Sequence, residues 1–257
     1  MLASTTSHKA EPLLPTLEVF SRLDLRDIDL NLHHILEIGV SVDAIQQVLA
    51  ARNLRVWALS GGWCDFFQVS PEIDATFHSV DRQVGIARTF GVTLLRLFFG
   101  RLKHENYSPA RRDTLCDNLR FLSDRHADMR FVFENHDGAS LRPEVCRDVL
   151  ERVDRSNIRM NLDPINFERV GVDSLEAVRL LAPWVGHVHL KGLDRGGFCE
   201  FGVGDVDLTP VLGALRSQGY AGSFSVEYEG PFDKTLRLYE SVKRARAVLG
   251  EITPGVF

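Results

Sequence analysis

The chain has 257 residues, 44% of them hydrophobic, enough to bury one large core; the length suits a single α/β barrel domain over residues 1–257 as well as it suits two smaller domains. A formal net charge of −5 offers no broad basic field, so nucleic acid is not an expected partner. No apolar run approaches the ~20 residues of a membrane helix, and the polar start MLASTTSHKA lacks the apolar segment of a secretory signal.

In chain order, residues 1–15 are polar and contain two prolines, which predicts a loose lead-in. A weakly helical pattern follows over 16–23, and 27–32 (DIDLNL) alternates as a strand should. Ser41 precedes a helix to about residue 51, and residues 54–59 form the next strand, ended by Gly61-Gly62. Ser70 before Pro71 predicts a capped helix to about 88. Residues 92–99 (VTLLRLFF) are a buried strand, Ser108-Pro109 opens a helix to about 125, and 129–134 is a strand. A helix over 143–153, a strand over 158–163 and a helix over 174–181 come next. The chain closes with a strand over 186–191, a helix from Thr209-Pro210 to Gly219, a strand over 224–227 and a helix over 235–249.

Strand alternates with helix throughout, and successive strands lie roughly 30 residues apart, which requires crossover connections and a parallel sheet. Seven strands are clear. An eight-stranded (β/α)8 TIM barrel needs one more, so either residues 13–20 make a degenerate first strand or the barrel lacks one. A doubly wound open sheet competes, but no strand is followed by GxGxxG or GxxxxGK[ST]. Cys64, Cys116, Cys146 and Cys199 show no CxxC pair, as expected of reduced thiols in a cytoplasmic protein.

Four consecutive strands end in groups that bind metals: Glu134 in FVFENHDG, Asp163 in IRMNLDPIN, His189 in HVHLKG and Glu227 in FSVEYEG. The C-terminal ends of barrel strands face the active site. Three carboxylates crowded there with one imidazole would repel without a cation. The set is mostly hard, suited to Mn²⁺ or Mg²⁺, with Co²⁺ or Zn²⁺ acceptable. Strand parity puts His136 on the face of Glu134 and Lys191 on that of His189.

The ordered motifs ENHDG, NLDPIN, HVHLKG, FGVGDVDL and GSFSVEYEG resemble the xylose isomerase-like TIM barrels of the sugar phosphate isomerase/epimerase superfamily, over roughly residues 24–250. The resemblance implies one divalent cation held by Glu134, Asp163, His189 and Glu227, with Glu134 and Glu227 as the catalytic acid/base pair. His187 would lie one layer deeper, as a packed or hydrogen-bonded core histidine. Two departures stand out: Asn166 occupies the place of a histidine common three residues after the metal-binding Asp, and Gly192 follows Lys191 where many members carry an acid.

This implies a metal-dependent isomerase or epimerase of a sugar or ketose, moving a proton next to a carbonyl through a metal-stabilised enediolate. His136, Asn166, Lys191 and Arg195 are the candidate substrate-binding residues. Arg96, mid-strand, calls for an acid partner. A dehydratase of a polyol-derived or shikimate-like keto compound fits the same site. An apurinic-site endonuclease does not, for want of histidines and a basic face, and a non-catalytic ligand-binding barrel is disfavoured by an intact quartet. No phosphate-binding nest follows the last two strands, which points to an unphosphorylated small molecule. A homo-oligomer is compatible with the sequence.

Overall fold

The computed structural model describes residues 1–252. Among them, eight parallel strands close into a barrel: β1 (Leu2–Ser4), β2 (Asp27–Asn31), β3 (Arg55–Ser60), β4 (Leu94–Phe98), β5 (Arg130–Glu134), β6 (Ile158–Leu162), β7 (Val185–Leu190) and β8 (Ser223–Val226). Each strand is followed by one principal helix: α1 (Leu13–Arg22), α2 (Val42–Arg52), α3 (Glu72–Phe90), α4 (Pro109–Arg125), α5 (Pro143–Val153), α6 (Ser174–Leu181), α7 (Thr209–Ser217) and α8 (Lys234–Ile252). A short antiparallel hairpin (Gly192–Asp194 with Gly197–Cys199) stands above β7.

The first strand is present, and it arises inside the stretch expected to be a loose lead-in. Leu2 and Ala3 pair with Ser225 and Val226 of β8, while Ala3 and Ser4 pair with Ile28 and Asp29 of β2. Three residues are too few to show a periodicity, but ladders on both edges hold them. Residues 13–20 are not a strand: Leu13, Leu17 and Phe20 fall on one helical face of α1 and are buried. Ser70 does not cap α3 either. That helix starts at Glu72 with Pro71 at its N-cap and no side-chain cap bond. Ser108 does cap α4, accepting from the backbone N–H of Arg111 at 3.3 Å.

Strand parity divides the barrel into two environments. Outward residues such as Ile28, Leu95, Phe131, Phe133, Met160, Val188 and Phe224 belong to the main core between sheet and helices. Inward residues begin as a small apolar plug of Leu2, Ala58, Leu94 and Val132. One layer higher they turn polar: Asp29, Ser60, Arg96, Asn161, His187 and Ser225 are all buried. This polar layer is the floor on which the strand-end groups stand.

Candidate active site at the strand ends

β5, β7 and β8 bring Glu134, His189 and Glu227 to one place. His189 Nδ1 lies 3.7 Å from Glu134 Oε1 and 3.4 Å from Glu227 Oε1, and all three side chains are at most 3% exposed. Asp163, just past the end of β6, is fully buried beside them. Its Oδ1 accepts from the backbone N–H groups of Ile165 (3.0 Å) and Asn166 (3.2 Å), so it caps the short helix Pro164–Glu168. Its Oδ2 turns the other way, 3.0 Å from Lys191 Nζ. Glu134, Asp163 and His189 thus offer ligand atoms all within 4.8 Å of one another. His189 Nδ1 is buried without an aligned hydrogen bond, and Asp163 Oδ2 has the Lys191 ammonium beside it, so both are atoms able to hold a cation. This mixed nitrogen and oxygen set fits a divalent metal.

Asp29, His187 and His189 form a second tight group. His187 is nevertheless occupied: its Nδ1 pairs with Ser223 Oγ at 2.7 Å and its Nε2 with Ser225 Oγ at 2.8 Å. It is the hydrogen-bonded core histidine expected from the sequence.

The acid partner that Arg96 called for is Glu134. Arg96 Nε sits 3.2 Å from Glu134 Oε2, and its Nη1 donates to the Gly61 carbonyl at 3.2 Å. Gly61 is required here, because a Cβ would stand 2.8 Å from the Arg96 carbonyl oxygen. Asn166 Nδ2 donates to Glu134 Oε1 at 3.2 Å, and Ser4 Oγ donates to Glu227 Oε1 at 3.2 Å.

Charge and burial compete strongly in this cluster. Burial pushes the Glu134 carboxyl up, but His189 and Arg96 hold it well below the usual range. For His189 burial disfavours the imidazolium, yet Glu227, Glu134 and Asp29 raise it well above an ordinary histidine. Burial raises Asp163 to about 6, partly offset by Lys191 and reinforced by Glu134 and Glu227. Lys191 is raised despite its burial, because Asp163 and Glu229 face its ammonium.

The expected substrate-binding residues divide. Lys191 is buried between Asp163 and Glu229, the latter 2.7 Å away. Asn166 is fully buried against Glu134. His136 is partly exposed at the mouth, edge-on to Trp63 (5.4 Å) and Phe98 (5.1 Å). Arg195 lies exposed at the tip of the hairpin, and no ion pair of the cluster involves it. Trp63 stacks on Phe98 at 4.3 Å, whereas Phe66 and Phe67 are core. A groove of about 470 Å³ lined by Gln46, Leu54, Arg55 and Trp57 lies around the opposite end of β3 and includes none of these groups.

Ser4 and Asp29 escaped sequence reasoning. The only available signal was an acid at an inward position of DIDLNL, which any half-polar strand shows.

Residues 17–247 match the family described as xylose isomerase-like TIM barrel. The chain belongs to that family. Two curated proteins are similar over part of their length. A 3-dehydroshikimate dehydratase of Bacillus anthracis is 22% identical over 134 residues, 51% of this chain and 48% of the relative. An inosose dehydratase of Geobacillus thermodenitrificans (strain NG80-2) is 27% identical over 160 residues, 51% of this chain and 53% of the relative. The matches thus span about half the length of these curated relatives. Among solved structures, the IOLI protein with a binding zinc atom superposes with a TM-score of 0.84 at 15% identity, covering 99% of both chains. No helix among the described residues is long and apolar enough to cross a membrane.

Proposed function

We propose that this chain is a metal-dependent enzyme that removes a proton from the carbon next to a carbonyl of a small, unphosphorylated polyhydroxy ketone or keto acid. The observation that carries this reading is the convergence of Glu134 and Glu227 on His189 Nδ1, at 3.7 and 3.4 Å, beside Asp163. Glu134, Asp163, His189 and Glu227 would hold one divalent cation, with Mn²⁺ or Mg²⁺ preferred by the oxygen-rich set and Co²⁺ or Zn²⁺ accommodated. Once bound, that cation supplies Lewis acidity to the substrate carbonyl.

The chain's own side chains perform the remaining work. One of the two glutamates takes the proton from carbon, and the electron pair flows to the carbonyl oxygen to give an enediolate. The other returns a proton to carbon. Return to the neighbouring carbon, with the hydroxyl proton passing to the former carbonyl oxygen, isomerises, and return to the opposite face of the same carbon epimerises. Lys191 and His136 orient substrate oxygens, and Asn166 holds the Glu134 carboxylate.

A second reading is dehydration: the same proton is lost, and a hydroxyl on the next carbon leaves as water after taking a proton from a carboxylic acid. It is favoured by the activities of the two curated relatives, 3-dehydroshikimate and inosose dehydratase.

The test is incubation with a panel of ketoses, cyclic polyol ketones and keto acids in D₂O, with each metal in turn. Deuterium in recovered or isomeric sugar marks proton return, and a product lighter by one water marks elimination. Glu134→Gln and Glu227→Gln should each lower turnover by about 10²-fold or more with the fold intact. Near-normal turnover in both variants contradicts the assignment.

A further inference from the structure

Asp29 lies on β2, far in sequence from the strand-end quartet, and its carboxylate is 1% exposed inside the barrel. A carboxylate buried this deeply must be paired or hydrogen-bonded to stay ionised. This one is built in from two sides. Ser60 Oγ at the end of β3 donates to Asp29, 3.0 Å from Oδ1 and 3.3 Å from Oδ2. Opposite, Asp29 Oδ2 faces His189 Nε2 at 3.4 Å. The other ring nitrogen, Nδ1, faces the gap between Glu134 and Glu227. His187 stands edge-on to the His189 ring at 5.3 Å and 85°, itself held by two serines, so the ring is seated on its flank as well.

We propose that Asp29 is a positioning residue: it keeps the proton of His189 on Nε2, so that a bare Nδ1 is presented to the cation. This rests on the reading of His189 as a metal ligand. An ionised carboxylate only accepts, so Nε2 beside Asp29 carries a hydrogen; Nδ1 also faces carboxylates, and it gives up its hydrogen when a cation occupies the gap between them. An asparagine in the same place can turn its NH₂ towards Nε2, which puts the proton on Nδ1 and blocks it as a ligand. Carboxylate partners of this kind fix the tautomer and raise the basicity of ligating histidines.

The experiment uses the full chain, labelled with ¹⁵N-histidine and loaded with zinc. Long-range ¹H–¹⁵N spectra should show the His189 proton on Nε2, with His189→Gln assigning the signals. Asp29→Asn should weaken zinc binding by about 10- to 100-fold in competition with a chromophoric chelator, while the metal-free melting temperature stays within a few degrees of wild type. Ser60→Ala should weaken zinc binding less. A proton on Nδ1 in the zinc-loaded wild type overturns the proposal, even if Asp29→Asn fails to fold. So does an Asp29→Asn affinity within twofold of wild type. A wild-type chain that binds no zinc overturns the ligand reading and this inference together, so the two failures are distinguishable.

Discussion

Lys191 carries the sharpest conflict at the scale of single residues. Its ammonium stands 3.0 Å from Asp163 Oδ2, the oxygen not used in capping the helix after β6, and 2.7 Å from Glu229. A fixed positive charge there stabilises the metal-free cluster and competes electrostatically with an incoming cation. Removing it has two consequences. Lys191→Met leaves the buried Asp163 and the half-buried Glu229 without their shared cation, which should cost about 3 kcal/mol of metal-free stability. The cation then meets less repulsion, so the rise in melting temperature on adding saturating zinc should be larger in the variant than in wild type. An equal or smaller rise would show that Lys191 does not oppose the metal.

At the scale of elements, the loops above the strands decide how rigidly the mouth is held. After β5 the chain turns at Gly138 with φ +58°, where an added Cβ would stand 2.3 Å from the Leu102 carbonyl oxygen. Ala139 N–H donates to that same carbonyl at 2.7 Å, joining this loop to the one after β4. Gly138→Ala combines an unfavourable φ with a backbone collision and should destabilise the fold by on the order of 2 kcal/mol, measurable by urea denaturation. A change under ~0.5 kcal/mol would mean that the two loops shift apart freely.

The same scale shows what could be read from sequence. Seven strands and most of the principal helices were legible, because parallel barrel strands are near-continuous apolar runs closed by Gly, Pro or an acid, as in 92–99 and 129–134. β1 was not: with three residues, its identity lies in its partners on β2 and β8 rather than in its own pattern. The four strand-end groups were legible because ligating side chains recur at the same place on successive strands. Asp29 was not, since nothing in its neighbourhood distinguishes it until the barrel closes and brings β2 opposite β7. Arg96 was half legible: the need for an acid followed from burial, but Glu134 as that acid followed only from the register Arg96↔Val132 and Phe98↔Glu134 between β4 and β5.

Across the whole molecule, the barrel holds several neutral histidines that acid must charge. His8, after β1, is buried with Nε2 3.1 Å from Thr235 Oγ1 on α8. Burial lowers its pKa to about 4, helped by Lys234 and His34. Its folded value therefore lies below the ~6.5 of an unfolded chain, so its contribution to stability is complete above that value and is lost as pH falls towards 4. Wild-type stability should decline over this window, and His8→Gln should flatten the decline. An unchanged slope would place the acid sensitivity elsewhere, with His187, lowered to about 3 by burial, the next to examine.

The polar mouth of the barrel has the residues of a cation site. Metal analysis of the purified chain after removal and reconstitution tests it most directly. The structure predicts about one divalent ion per chain, with His189→Gln and Asp163→Asn each losing most of it while remaining folded. Fewer than ~0.2 ions per chain in the reconstituted wild type would contradict the account.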